Sequence, residues 1–165
     1  MTLFERWRVN QRLLLIVCVL AVLVQLELHF SARRGQLTVL NPERVEHIVL
    51  TQAPNAEALV FERSQGQWQL TAPLTAAADA RMVESLLAIA TAAVTSPLNL
   101  TATERAAVGL DPPRMKLQLN DTKLYFGRIE PISRRVYVQH QQRVFLLDER
   151  WLIPLTRTAE TFVGD

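Results

Sequence analysis

The sequence is short of the residues that build the commonest covalent, metal and phosphate sites. Its one cysteine in 165 residues, Cys18, lies inside an apolar run. A disulfide framework is therefore excluded, and so is a thiolate metal site in the rest of the chain. Five glycines leave little material for flexible linkers, and no G-x-G-x-x-G, Walker-type or G-x-S-x-G pattern occurs. The histidines His29, His47 and His140 stand far apart, so no H-x-x-x-H or H-E-x-x-H spacing gives zinc a local signature. Asp111, Asp121, Asp148 and Glu149 all fall at expected turns or caps. Adjacent acids such as Asp148 and Glu149 point apart in a strand, and at a helix start they serve structure. No catalytic residue, metal site or cofactor is assigned.

The net charge of +2 divides unevenly. Residues 1–34 carry Arg6, Arg8, Arg12, Arg33 and Arg34 against Glu5 and Glu27, whereas residues 35–165 hold 13 basic and 14 acidic side chains. The basic character thus flanks one segment. Nucleic-acid binding, which needs a basic surface on the folded part, has no support. Arginine outnumbers lysine 16 to 2, a bias read as genome composition.

Residues 13–24 read LLLIVCVLAVLV, twelve apolar residues without a break. At 1.5 Å per residue this helix would span roughly 18 Å, short of a ~30 Å hydrocarbon core; extension through Phe30 gives about 27 Å. The polar residues of that extension occupy the last two turns, where side chains reach the interface. Trp7 and Phe30 sit near the two ends as interfacial aromatics. A cleaved secretory signal would also have a basic start and an apolar core, but Phe30 stands where its A-x-A-like site needs a small residue. Val17 before Cys18 argues against lipidation. The reading is an uncleaved signal anchor, with Arg6, Arg8 and Arg12 keeping the N-terminus cytoplasmic and the remainder periplasmic in the bacterial inner membrane. The expected divisions are a cytoplasmic start at 1–12, an anchor at 13–30, a linker at 31–42, a domain at 43–157 and a tail at 158–165.

Within the domain, residues 44–50, 58–63 and 67–71 read as three antiparallel strands. The last two flank a hairpin turn at Ser64, Gln65 and Gly66. Trp68 and Leu70 are expected to oppose Leu59 and Phe61. Asp79 offers an N-cap for a helix to about Val94, with an apolar stripe of Met82, Leu86, Ile89, Ala90 and Ala93. Thr101 and Glu104 match a capping box, and the short helix they start should stop at Gly109. Residues 114–119, 122–126, 135–139 and 143–147 then form a four-stranded meander. Its turns are placed at Asn120 and Asp121, and at 140–142, with Gly127 ending the second strand. Asp148 caps a final short helix. The fold class is α+β: a three-stranded and a four-stranded antiparallel segment packed by one main helix, behind one membrane helix.

The run GQWQLTAP at 66–73, the Ala78 and Asp79 start of an apolar helix, and VGLDPP at 108–113 before an alternating strand occur in a set order. With Phe126 and Gly127, Tyr137 and Val138, and VFLLD at 144–148, they make residues 43–155 resemble the uncharacterised family called domain of unknown function 4340 (DUF4340). The resemblance implies an extracytoplasmic bacterial domain behind one N-terminal membrane helix. It also implies kinship with auxiliary subunits of ABC transporters of the gliding-motility type. It supplies no catalytic residues.

The functional expectation is a non-enzymatic, membrane-anchored accessory subunit whose partners are the bilayer and a membrane or envelope protein. Gln25, Glu27 and His29 lie in the outer half of the anchor, and polar intramembrane groups seek partners. Arg134 and Arg135, with Arg128 and Arg143, make the basic concentration of the domain. They either solvate a sheet edge against pairing or meet an acidic partner or lipid headgroups. The alternative is a small-ligand or cell-wall binding module on the concave side of the sheet, lined by Trp68, Tyr125, Tyr137 and Trp151. An envelope hydrolase would need a nucleophile and base that the sequence does not bring together.

Overall fold

The computed structural model describes Val17, Val19, Leu20, residues 35–94 and residues 96–164. The chain divides into two units, 1–35 and 36–165. Of the first, Val17, Val19 and Leu20 are helical. Most of the anchor expected at 13–30 lies outside the described residues, among which no helix is long and apolar enough to cross a membrane.

The second unit is one eight-stranded antiparallel sheet. Its strands are β1 (His47–Thr51), β2 (Leu59–Ser64), β3 (Gln67–Ala72), β4 (Ala76–Ala77), β5 (Met115–Leu119), β6 (Thr122–Glu130), β7 (Arg135–His140) and β8 (Arg143–Asp148), in the spatial order β4-β3-β2-β1-β5-β6-β7-β8. The two expected segments join because β1 and β5 alternate in phase: Ile48 pairs with Leu119, and Leu50 with Leu117. All four side chains fall on one face, where they are buried with Phe61, Leu70, Leu124, Phe126 and Val138. A single helix-covered core thus replaces two half-cores.

Helix α1 (Ala80–Leu87) lies over this face. The Asp79 side chain accepts from the backbone N–H groups of Arg81 and Met82, and Val83, Leu86 and Leu87 are buried. The helix is shorter than its periodicity predicts. A 3-10 turn, Ala88–Thr91, follows it, because the carbonyls of Ala90 and Ala92 accept from Thr38 N and Leu37 N at 2.9 Å. The Thr38 hydroxyl also donates to Ala90 O. These carbonyls serve a crossing segment instead of a further helical turn. Ala92 is consequently buried and Ala93 exposed, the reverse of the expected stripe.

The second helix, α2 (Ala102–Ala107), starts at the expected capping box. In the meander, β6 does not stop at Gly127 but runs on through a register shift to Glu130. Arg128 N donates to Val108 O at 2.7 Å, and a Cβ on Gly127 would collide with that same oxygen. The glycine marks a close backbone approach inside the strand. The first hairpin turns on Gln65 and Gly66 alone, with Ser64 paired to Gln67, so Trp68 opposes Arg63 instead of Leu59 or Phe61. The last hairpin likewise turns on Gln141 and Gln142, with His140 paired to Arg143.

Of residues 158–165, set apart above as a tail, Ala159 and Phe162 are buried in the core. The 3-10 turn Ala159–Phe162 places the Phe162 ring edge-on to Phe61 at 5.0 Å. Asp79 N donates to Phe162 O at 2.8 Å and Gly164 N to Ala77 O at 2.9 Å, which closes the outer edge of β4. At the opposite edge, Leu98 N donates to Val144 O at 2.7 Å. Both edges of the sheet are therefore partly strapped by the chain itself, which limits pairing with other strands.

Asn120 holds the junction of the two halves. It adopts φ +50° in the β5–β6 turn. Its side-chain oxygen accepts from Glu46 N and His47 N, and its amide donates to Arg44 O, each at 3.1 Å. Replacing Asn120 by Ala removes three hydrogen bonds and puts an unfavoured residue at positive φ, so unfolding in urea should show a loss of about 2 kcal/mol. Asn120→Gly should lose less, because glycine relieves the backbone. Equal losses would deny the backbone contribution.

Candidate functional site

A polar cleft of about 360 Å³ lies at the end of the sheet that carries the β2–β3 turn. One wall is the 3-10 turn Pro42–Arg44, set by the Asn41 side chain accepting from Glu43 N at 3.0 Å. A second wall is helical: Glu84 and Leu87 of α1, then Ala88 and Thr91 of the turn that follows it. The floor is Trp68, only 6% exposed. The Arg63 guanidinium lies 5.9 Å from the centre of the indole and donates to Glu43 O at 3.1 Å. Arg63 is thereby held against one wall while Glu84 projects from another.

The cleft offers one guanidinium, two exposed carboxylates and an indole edge. Among the described residues, Glu43 and Glu84 make no ion pair. The Thr91 hydroxyl donates to Ala88 O. Such a lining can bind and orient a charged group, and Pro42 and Leu87 add apolar stretches to it. No three or more His, Cys, Asp or Glu among the described residues are placed to hold a metal ion.

The residues singled out from the sequence are scattered. Gln25, Glu27 and His29 lie outside the described residues. Arg134 sits at φ +53° in the β6–β7 turn, and its guanidinium meets the Glu149 carboxylate at 2.7 Å. Arg135 is the exposed first residue of β7, paired across the ladder with Asp148. Arg143 lies at the other end of the β7–β8 hairpin, about 17 Å away at the usual strand rise. The four arginines thus do not form one patch. Arg128 is exposed and packs beside Gly109.

The expected aromatic pocket is not assembled either. Trp68 belongs to the covered face, while Tyr125 and Tyr137 alternate with covered-face residues and share the opposite face with Lys116, Gln118 and Lys123. Trp151 packs against the core with Arg150 over its ring. Asp148 caps the 3-10 turn Glu149–Leu152 by accepting from Arg150 N.

The cleft itself was not anticipated. Its charged residues come from three separate segments with no local motif. Only one contact was within reach: a two-residue turn at Gln65 and Gly66 places Arg63 opposite Trp68 by counting outward along the hairpin.

The family model described as Domain of unknown function (DUF4340) matches residues 68–164. The chain belongs to the DUF4340 family. The match differs in extent from the 43–155 resemblance. It starts at Trp68, on the floor of the cleft, and it includes the DUF4340 residues Phe162 to Gly164 that close the edge of β4. No curated protein and no solved structure matches the chain.

His140 lies at the end of β7 nearest the entering chain, half-buried and hydrogen-bonded to the Leu37 backbone. Burial holds its imidazole below the ordinary value of 6.5, and that hydrogen bond opposes the shift. As pH falls through 6.5 the unfolded chain takes up a proton that the folded chain resists. Stability therefore declines from that pH and levels off below the depressed folded value. The lowered carboxyls of Glu104, Glu130 and Glu160 act in a more acidic window, below their ordinary 4.5. His140→Gln should flatten the pH dependence of the unfolding midpoint just below 6.5; an unchanged slope would remove His140 as its source.

Proposed function

We propose that this chain is a membrane-anchored, non-enzymatic accessory subunit of a bacterial envelope assembly, associated with an ABC transporter. Its folded unit stands on the periplasmic side of the inner membrane. The observation that carries the reading is the state of the apolar run: Val17, Val19 and Leu20 are helical, yet 62%, 49% and 54% exposed. Apolar helical surface of that kind wants lipid or a partner helix. Arg6, Arg8 and Arg12 before the run give it an orientation. The folded unit then begins at Gln36. With both sheet edges partly strapped, contacts to a partner protein fall to the Lys116, Lys123, Tyr125 and Tyr137 face, to the exposed Arg134 and Arg135 turn, or to Gln25, Glu27 and His29 in the anchor.

A second reading, a small-ligand or cell-wall binding module, is favoured by the cleft of Glu43, Arg63, Trp68 and Glu84. It differs in its readout. Co-sedimentation with isolated cell-wall sacculi that Glu43→Gln with Glu84→Gln abolishes would support it over the subunit reading.

The accessory reading predicts that a reporter active only outside the cytoplasm, fused after Asp165, is active. It further predicts that crosslinking in native membranes followed by mild solubilisation recovers a membrane transporter component. A silent reporter would reverse the topology, and recovery of the chain free of any membrane protein would refute the subunit assignment.

A further inference from the structure

We infer that the cleft of Glu43, Arg63, Trp68 and Glu84 is a binding site for a zwitterion of the phosphoethanolamine type: a primary ammonium joined by a short methylene spacer to a phosphate. This deepens the membrane-anchored reading and rests on it for the source of the ligand.

The charges set the ligand class. Arg63 is positioned on one wall by its bond to Glu43 O and its stacking over Trp68. Its remaining N–H groups suit a phosphate, which a guanidinium recognises through paired hydrogen bonds. Glu84 stands on the helical wall and Glu43 on the turn, both exposed and without an ion pair among the described residues. Two carboxylates against one guanidinium leave the cleft with one surplus negative charge. An anion alone is therefore disfavoured, and a ligand carrying an ammonium beside its anionic group is matched at both ends.

The indole decides between kinds of ammonium. A quaternary ammonium is bound by open aromatic faces, but the Trp68 ring is covered by Arg63 and almost wholly buried. Recognition then has to come from N–H groups donated to Glu43 and Glu84, which a primary ammonium has and a trimethylammonium lacks.

The membrane-anchored reading supplies the source. The chain enters the folded unit through Gln36, which bridges to Ala93, and through Leu37 and Thr38, which bond to Ala92 and Ala90. Thr91, between those acceptors, lines the cleft. The cleft thus adjoins the segment by which the chain enters the folded unit, and in the membrane-anchored reading lipid headgroups are a supply of this chemistry.

The test uses the full chain in detergent, with phosphatidylethanolamine, phosphatidylcholine and phosphatidylglycerol as separate lipid probes and soluble phosphoethanolamine as competitor. Retention is read by native mass spectrometry. Phosphatidylethanolamine should be held about tenfold more tightly than the other two, roughly the value of one charge-assisted hydrogen bond. The exposed substitutions Glu43→Gln with Glu84→Gln should erase that preference at an unchanged melting temperature, and Arg63→Gln should erase it with a small fall in melting temperature from the lost bond to Glu43 O and the lost stacking on Trp68. Competition by soluble phosphoethanolamine supports headgroup recognition. Binding of soluble phosphoethanolamine without the lipid keeps the zwitterion site and assigns it a free ligand, even if the C-terminal reporter shows the anchored reading to be wrong. Equal retention of all three lipids with no binding of phosphoethanolamine, or a preference that survives the substitutions, overturns the inference.

Discussion

The ladder between β1 and β5 is the constraint on which the folded unit depends. It joins residues 71 positions apart in Ile48 and Leu119, and so carries the largest loop-closure cost in the sheet. Either half alone would leave Ile48 and Leu50, or Leu117 and Leu119, on a strand with an unpaired inner edge. Joined, the halves share one apolar face, and a fully buried set reaches from Phe61 and Leu70 on one side to Phe126 and Val138 on the other. Asn120 fastens the end of this ladder by bonding to Arg44, Glu46 and His47. Its contribution is local, but the ladder it secures joins the two paired strands that lie farthest apart in sequence.

The outer strands are managed differently. β4 is two residues long and would be a weak edge, yet the backbone of Phe162 and Gly164 closes it, and the Phe162 ring is driven into the core against Phe61. The same few residues thus fill the core and cover an edge. The family match, residues 68–164, takes in most of β3, the strand β4 that pairs with it, and the last residues, which close the outer side of β4. Strands β1 and β2 precede the match, although β1 is central in the sheet.

Much of this was legible in the sequence. Strict alternation in MKLQL and RVYVQ gave β5 and β7, and the Asp79 and Thr101 caps marked both helix starts, because each signal is local and repeated. What escaped was decided by distant partners. The helix expected to reach Val94 stops early because Thr38 and Leu37 claim its carbonyls. Gly127 looks like a strand terminator until Val108 is brought beside it. Phe162 stands alone among Thr, Ala and Glu, with no period to announce burial. The joining of the sheet halves required a register between β1 and β5 that nothing between them specifies. The cleft was hidden for the same reason, since Glu43, Arg63 and Glu84 share no motif and meet only after the sheet and α1 are in place.

The Arg63 and Trp68 pair shows how one register changes a functional reading. With a three-residue turn at Ser64, Gln65 and Gly66, Arg63 would pair with Gln67 and Trp68 would oppose Glu62. With the two-residue turn on Gln65 and Gly66, Arg63 is placed across from it and lies over the ring. The indole then contributes packing and an electron-rich support for the guanidinium, and its own face is no longer offered to solvent. Stacking recognition is lost, but a fixed positive charge is gained at the same spot, in a cleft that Glu84 also lines. A buried aromatic beneath an ordered arginine therefore turns an expected aromatic pocket into a polar one, whose selectivity comes from charge placement instead of ring area.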